Sequence, residues 1–546
     1  MHQHPTNSHR LLRPLFEHRY LLLLLLFTSA IFYKGITPSF SSDDFVHLEN
    51  NIHFDSLASA AEVFVTSKPY AREYRPLVRL SLWLNHQMGD SALPYKISNL
   101  LMHLCCVVLL YGLLLRLGAT KIAALIASST FALHPIHITS VHFILGRTDL
   151  VAALFYLATL YCFSDWKNNP SIALRALTFI WFSAALLSKE LSITLPVMML
   201  AISMTQQKTL KFTALLRSAI KLWPFILLAF VYLVARLYQW KSMDTVTVYT
   251  NFAPLNIATN YLEWGFALLY PFDLYIAREW LILHTGLFIA AALIISLGFI
   301  ALAIYIWRQT AGNLLRSPLL WLGLVWLIIT LMPMTGGNAH RWYLYLPSVG
   351  FSLMLAAVWA NTAPNRQTLL QGFIALLLII YSGESLRQSL VWSHQSDINE
   401  QLLSDATTRE LRGHTEIAIA NMPFGYQSAF LFTHSSLEEA LRVRYGSSPK
   451  IDVLNYINLD ARNTIEVELS STGVNFMLVP TAYRYFRLRD ARVFFTGPET
   501  FTQGEFKLTI NELDRAGRIT SLSIELPENS STPIYYFDGN AFKRLK

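Results

Sequence analysis

Charged residues are scarce here, 14% of 546 residues, against about 25% in ordinary soluble domains. With 53% hydrophobic residues, that scarcity excludes a purely soluble protein. Cysteine is nearly absent. Cys105, Cys106 and Cys162 all fall inside apolar stretches. The extramembrane parts therefore hold no disulfide framework, and no metal-type cysteine spacing exists. Acidic residues are outnumbered, 35 against 43 Lys and Arg. The resulting +8 charge does not imply nucleic-acid binding, because the positive residues are spread over short loops between apolar runs. No helical repeat of roughly 34 residues is present.

What the chain has in quantity is long apolar runs. A stretch of about 17–25 apolar residues can cross the hydrocarbon core as a helix. Such stretches lie near 19–35, 95–116, 119–134, 148–164, 171–188, 190–206, 219–238, 283–307, 317–334, 343–361 and 367–386. The first follows Arg10, Arg13 and Arg19 and lacks a small-residue cleavage pattern after it, so it is expected to stay as a signal anchor. One set of alternate loops carries most of the Lys and Arg, including Arg116, Lys121, Lys167, Arg175, Lys208, Arg308 and Arg316. By the positive-inside bias that set is cytoplasmic. Residues 255–272 contain Asn256, Asn260 and Glu263 and would break this parity, so an interfacial or re-entrant helix is expected there.

From about residue 390 the texture changes to period-two alternation, in Thr464–Leu469, Asn475–Val479, Arg492–Thr496, Phe506–Ile510 and Ser521–Leu526. The expected architecture is a polytopic α-helical membrane protein of about eleven spans over residues 1–390. A β-rich (α+β) soluble domain follows over 391–546, facing outward.

Ionisable residues at span mouths are the candidates for chemistry, since charge near lipid is costly and usually functional. Asp43 and Asp44 follow the first span. Neighbours at i and i+1 face different ways, so one carboxylate can meet a substrate while the other holds the loop; both as plain solvated charges is the alternative. Pro76 can open a helix, which puts Arg75 and Arg79 one turn apart on one face, placed to meet an anionic lipid head or to seat an amphipathic helix. Asn99 and His103 form a polar stripe below Lys96 that reads as packing.

The run 131–149 carries His134, His137 and His142. Pro135 breaks the helix between the first two, so hydrogen bonding near the interface is expected rather than a metal site. Arg147 and Asp149 open the following span. The guanidinium suits phosphate, with an Arg147–Asp149 ion pair as the alternative. Lys189 sits between two spans with almost no loop and needs Glu190, a bound phosphate or snorkelling. His340 and Arg341 again place polar groups at the outer mouth, beside Tyr343 and Tyr345. Together these give one acidic pair and four basic groups (Arg75, Arg147, Lys189, Arg341) on one membrane face. That suits a base and a cationic clamp around a phosphate leaving group.

Several of these segments, 74–77, 99–103, 131–150, 188–196 and 340–350, resemble the membrane half of the transmembrane and tetratricopeptide-repeat O-mannosyltransferases and their bacterial relatives, in the GT-C glycosyltransferase superfamily. The resemblance covers about residues 35–400 and includes the stretch Trp392–Asp397. It implies a GT-C-like fold, a polyprenyl- or dolichyl-phosphate sugar donor, inversion at the anomeric carbon and an acidic residue matching Asp43 or Asp44. It also implies basic residues at Arg147 and Lys189. The family's Ala-Asp-Arg-Tyr-like run reads Ala339-His340-Arg341-Trp342 here, and its repeats give way to the strand-rich domain. The acceptor, glycan or protein, is therefore open.

The expected function is inverting transfer of a mannose-like or other hexose from a polyprenyl or dolichyl phosphate to an acceptor hydroxyl at the outer face of a bacterial inner membrane, with His134, His137, Asp149, Glu190 and His340 supporting. No metal or cofactor is expected, because the leaving phosphate is already anionic. A polymerase or ligase using a diphosphate-linked glycan, and a transporter, are the alternatives; the paired halves common in transporters are not visible.

Overall fold

The computed structural model describes residues 18–46, 74–241, 252–270, 313–337 and 340–545, with short breaks, and scattered positions elsewhere. Its first part is helical. Thr120 accepts from the Ala123 N–H (3.2 Å) ahead of the helix Lys121–Leu133, and Ser171 from the Leu174 N–H (3.2 Å) ahead of Ile172–Leu186. Each cap satisfies a donor left open by the first turn. Pro76, Pro318 and Pro364 open helices of their own, where a missing N–H costs nothing.

Among the described residues three helices are long and apolar enough to cross a membrane: Leu93–Arg116, Ile144–Ser164 and Pro364–Ser404. Two bent pairs raise that to five, with bends of 47° after Leu133 and 68° after Lys221. The eleven expected crossings are thus not matched one for one. The runs at 171–188, 317–334 and 343–361 are apolar helices, but shorter ones, Ile172–Leu186, Pro318–Met334 and Ser348–Asn361. Apolarity is visible in the sequence, whereas the turns that end each helix come from packing. The run at 283–307 lies largely outside the described residues.

Of the expected 255–272 segment, the residues through Leu269 lie in the helix Pro254–Leu269, and 271–272 lie outside the described residues. Asn260 ties it to the 335–337 turn, donating to the carbonyls of Thr335 (3.0 Å) and Gly337 (2.8 Å). Pro318–Leu331 and Ser348–Asn361 touch backbone to backbone: a Cβ at Gly350 would stand 2.5 Å from the Gly323 carbonyl oxygen. Small residues permit such approach between apolar helices.

The 41-residue helix Pro364–Ser404, here the long helix, runs through residue 390, and the first strand begins at Glu416. Four strands form one sheet in the order Phe542–Arg544, Ile534–Phe537, Glu416–Ala420, Lys450–Val453, with Glu416–Ala420 parallel to both its neighbours. A nine-stranded sheet holds most of the expected alternating runs, as Ile465–Leu469, Gly473–Leu478, Phe506–Leu513 and Ile519–Glu525. The expected strand Arg492–Thr496 lies outside the described residues except for Phe495.

Candidate functional site

The two aspartates sit on a loop clamped from both sides. From behind, the long helix supplies Asn399, whose Nδ2 donates to Ser39 Oγ (3.1 Å) and the Phe40 carbonyl (2.7 Å). Gln395 Oε1 accepts from Ser41 Oγ at 3.1 Å. Lys96 Nζ reaches up from the helix Leu93–Arg116 to Thr37 Oγ1 (2.7 Å) and the Ser39 carbonyl (2.9 Å). From the front, the C-terminal domain supplies Leu431, whose carbonyl accepts from Ser42 N–H (2.8 Å), and Thr433, whose hydroxyl lies 2.5 Å from Ser42 Oγ. Ser42 has φ +46°, left-handed backbone that a non-glycine residue adopts only at a cost of about 1–2 kcal/mol.

The neighbouring carboxylates point apart. Asp43 is half-buried, and its Oδ1 accepts from Thr433 Oγ1 at 2.5 Å. Asp44 is fully buried and accepts from the Ser41 N–H at 3.1 Å through Oδ2. Burial pushes the Asp44 carboxyl up to about 8, against the opposing pull of Lys96 and of the Ser41 and Leu145 backbone N–H groups.

A second cluster lies where two pairs of helices meet. Arg75 NH2 stands 2.8 Å from Glu190 Oε1, and Lys189 Nζ stands 2.6 Å from Asp149 Oδ1. Burial alone would raise the Glu190 carboxyl, but Arg75 and Lys189 outweigh it and hold it at about 2. Lys189 Nζ also lies 5.2 Å from the centre of the Tyr343 ring. Tyr232 and Arg236, on the helix Trp223–Lys241, face the same group, with Glu190 and Arg75 among the charges acting on Tyr232.

Arg147 stands apart from that cluster and makes no pair with Asp149. It is fully buried, and its nitrogens donate to Asn99 Oδ1, to the Tyr95 carbonyl (2.7 Å) and to Ser81 (3.3 Å). Asn99 in turn donates to the carbonyls of Val141 and Phe143, both at 3.2 Å. Arg147 therefore braces the turn 144–149, which leads into the helix Arg147–Ser164. Gly146 makes that turn possible, since a Cβ there would fall 2.3 Å from the Ser140 carbonyl oxygen. The turn 144–149 borders both clusters: the Leu145 backbone acts on Asp44, while Asp149 holds Lys189.

The histidines each hydrogen-bond a different partner, and His137 also lies against the rings of His134 (6.2 Å) and His103 (5.3 Å). His134 Nδ1 accepts from the Ile136 N–H (3.2 Å), and its Nε2 lies 3.0 Å from the Leu268 carbonyl. His137 Nε2 lies 3.3 Å from Ser348 Oγ, with its ring against Phe131 and Tyr345. His142 Nε2 meets Ser389 Oγ at 3.0 Å. His340 stacks on Trp342 (4.2 Å, 10°), Trp342 edges Phe430 of the C-terminal domain (6.4 Å), and Arg341 lies in the short turn Arg341–Leu344 between them, among the charges acting on His134.

Residues 81–247 match the family model described as dolichyl-phosphate-mannose-protein mannosyltransferase. Protein O-mannosyl-transferase tmtc2 of Xenopus laevis is 33% identical over 129 residues, 22% of this chain and 15% of that protein. Human protein O-mannosyl-transferase TMTC2 is 35% identical over 112 residues, 20% of this chain and 13% of its own length. The resemblance to the O-mannosyltransferases holds. The aligned part spans only 13–15% of these relatives. The archaeal oligosaccharyltransferase AglB from Archaeoglobus fulgidus, solved with an inhibitory peptide and a dolichol-phosphate, superposes at TM-score 0.41 and 11% identity, covering 82% of this chain and 70% of that one.

The O-mannosyltransferase-like segment contains Lys96, Arg147, Asp149, Lys189, Glu190, Tyr232 and Arg236, and leaves Asp43, Asp44, Arg75 and Arg341 outside. Reading the sequence alone missed Thr433, Gln395, Asn399, Tyr232 and Arg236. Lys96 gave a signal in being a lone cation inside an apolar helix. Thr433 gave none.

Proposed function

We propose that this protein is an inverting glycosyltransferase that moves a hexose, mannose-like, from a polyprenyl or dolichyl phosphate to an acceptor hydroxyl at the outer membrane face. The reading takes the chain as crossing a bacterial inner membrane about eleven times, with the aspartate loop and the C-terminal domain in the periplasm. The observation that carries it is the turn 144–149, which joins an acidic loop to a basic cluster whose Lys189, Asp149 and Glu190 lie inside the matched segment.

Asp43 is the base. It is half-buried and so within reach of an acceptor, whereas Asp44 is enclosed, and burial favours its protonated form. The acceptor oxygen attacks the anomeric carbon from the face opposite the phosphate, and its proton passes to the Asp43 carboxylate. The bond from the anomeric carbon to the phosphate oxygen breaks, and the electron pair leaves with the polyprenyl phosphate. Lys189 and Arg75 stabilise that phosphate, with Arg236 and Arg341 facing it from neighbouring elements. Asp149 and Glu190 hold the two cations in place until the donor arrives. Arg147 supports by bracing the turn between base and clamp.

The test uses the full chain in lipid nanodiscs, given dolichyl-phosphate mannose with a labelled sugar and membranes from cells lacking the gene. Labelled glycan or glycoprotein, with free dolichyl phosphate as co-product, is expected. Label that stays on the donor overturns the reading.

A further inference from the structure

We propose that Thr433, on the C-terminal domain, is a positioning residue for Asp43, so that this domain completes the site of transfer. The proposal deepens the functional reading above and rests on Asp43 being the base.

Thr433 is 6% exposed and is itself fixed by its own chain. Its N–H donates to Ser436 Oγ at 2.7 Å, and the Ser436 N–H returns to the Thr433 carbonyl at 2.8 Å. This reciprocal pair ties the Thr433 backbone to the first residue of the helix Ser436–Tyr445. A hydroxyl has one proton to give. Thr433 gives it to Asp43 Oδ1 at 2.5 Å. Ser42 Oγ, 2.5 Å from the same oxygen, must then be the donor in its contact with Thr433. The result is a directed chain from Ser42 through Thr433 to Asp43.

This chain assigns Oδ1 of Asp43 to the domain and the carboxylate's other oxygen to the acceptor's proton. It also explains why Ser42 keeps left-handed backbone: its N–H and its hydroxyl both end on the C-terminal domain, at Leu431 and Thr433. Neither contact lies in the segment shared with the O-mannosyltransferases, which ends at residue 247.

The experiment compares full-length wild type, Thr433→Val and Thr433→Ser in nanodiscs by two readouts. Hydrogen exchange of the Ser42–Asp44 amides is expected to speed up about tenfold or more in T433V and to stay at the wild-type rate in T433S. With dolichyl-phosphate mannose as donor, kcat is expected to fall about ten- to a hundredfold in T433V. The donor KM is expected to stay within about twofold, and T433S to recover the rate. Unchanged exchange in T433V overturns the positioning role whatever the activity. Unchanged kcat, or a loss confined to KM, overturns the catalytic half. A wild-type chain that transfers no sugar removes the functional reading and that catalytic half together, while exchange still decides whether Thr433 holds the loop.

Discussion

Lys189 Nζ and Asp149 Oδ1 meet at 2.6 Å across 40 residues of sequence, both side chains shut away from solvent. Such a pair contributes little net stability when intact, but breaking it on one side leaves a buried charge uncompensated. Asp149→Asn is therefore expected to destabilise the protein by about 3–5 kcal/mol. Asp149→Asn combined with Lys189→Met recovers part of that loss. Thermal unfolding of the single and double variants in nanodiscs checks it, and additive losses would contradict the pairing.

Arg75 and Glu190 predict an acid-side effect. The folded carboxyl lies at about 2, below its ordinary 4.5, so its stabilisation is complete above pH 4.5 and is lost as pH falls toward 2. The unfolding midpoint of the wild type should drop through that window. Glu190→Gln, starting lower, should show a flatter profile there. Parallel profiles would mean that Arg75 does not hold Glu190 ionised.

Asp44 predicts the opposite sign. Its folded carboxyl is raised from 3.8 to about 8, so between those values the folded protein holds a proton that the unfolded chain has lost. Stability contributed by this group is full below pH 3.8 and falls as pH rises to about 8. Asp44→Asn mimics the protonated form and should flatten that decline, unfolding later than wild type at pH 8. An earlier unfolding of D44N across the whole range would contradict it.

Gly350 offers a packing test. A methyl there would press on the Gly323 carbonyl at 2.5 Å and on the Leu327 backbone at 2.9 Å. Gly350→Ala should cost about 1–3 kcal/mol, the usual penalty of overpacking. Retained stability would show that the helices Pro318–Leu331 and Ser348–Asn361 part easily.

Much of the site's material was legible in the sequence, and its pairings were not. Charges in apolar surroundings mark themselves, which is how Asp43, Asp44, Arg75 and Lys189 stand out. The sequence also read Asn99 as packing, and it braces Arg147. Which cation meets which carboxylate depends on how connections 40 or more residues apart come to rest. Arg147 and Asp149, two residues apart, turn to opposite partners. The C-terminal strands divide the same way. Half-buried strands such as Phe506–Leu513 alternate and were visible, whereas Glu416–Ala420 and Ile534–Phe537 are apolar on both faces of a parallel pairing and show no period of two. Thr433 was invisible because one threonine in a loop has no pattern.

The central claim is that Asp43, and not Asp44, takes the acceptor's proton beside the Lys189–Arg75 clamp. The most direct measurement is single-turnover transfer from dolichyl-phosphate mannose by wild type, Asp43→Asn and Asp44→Asn, with donor binding measured on the same preparations. The expected result is donor binding in all three, transfer by D44N within about tenfold of wild type, and a loss of about a hundredfold or more in D43N. Transfer by D43N at the wild-type rate would contradict the account.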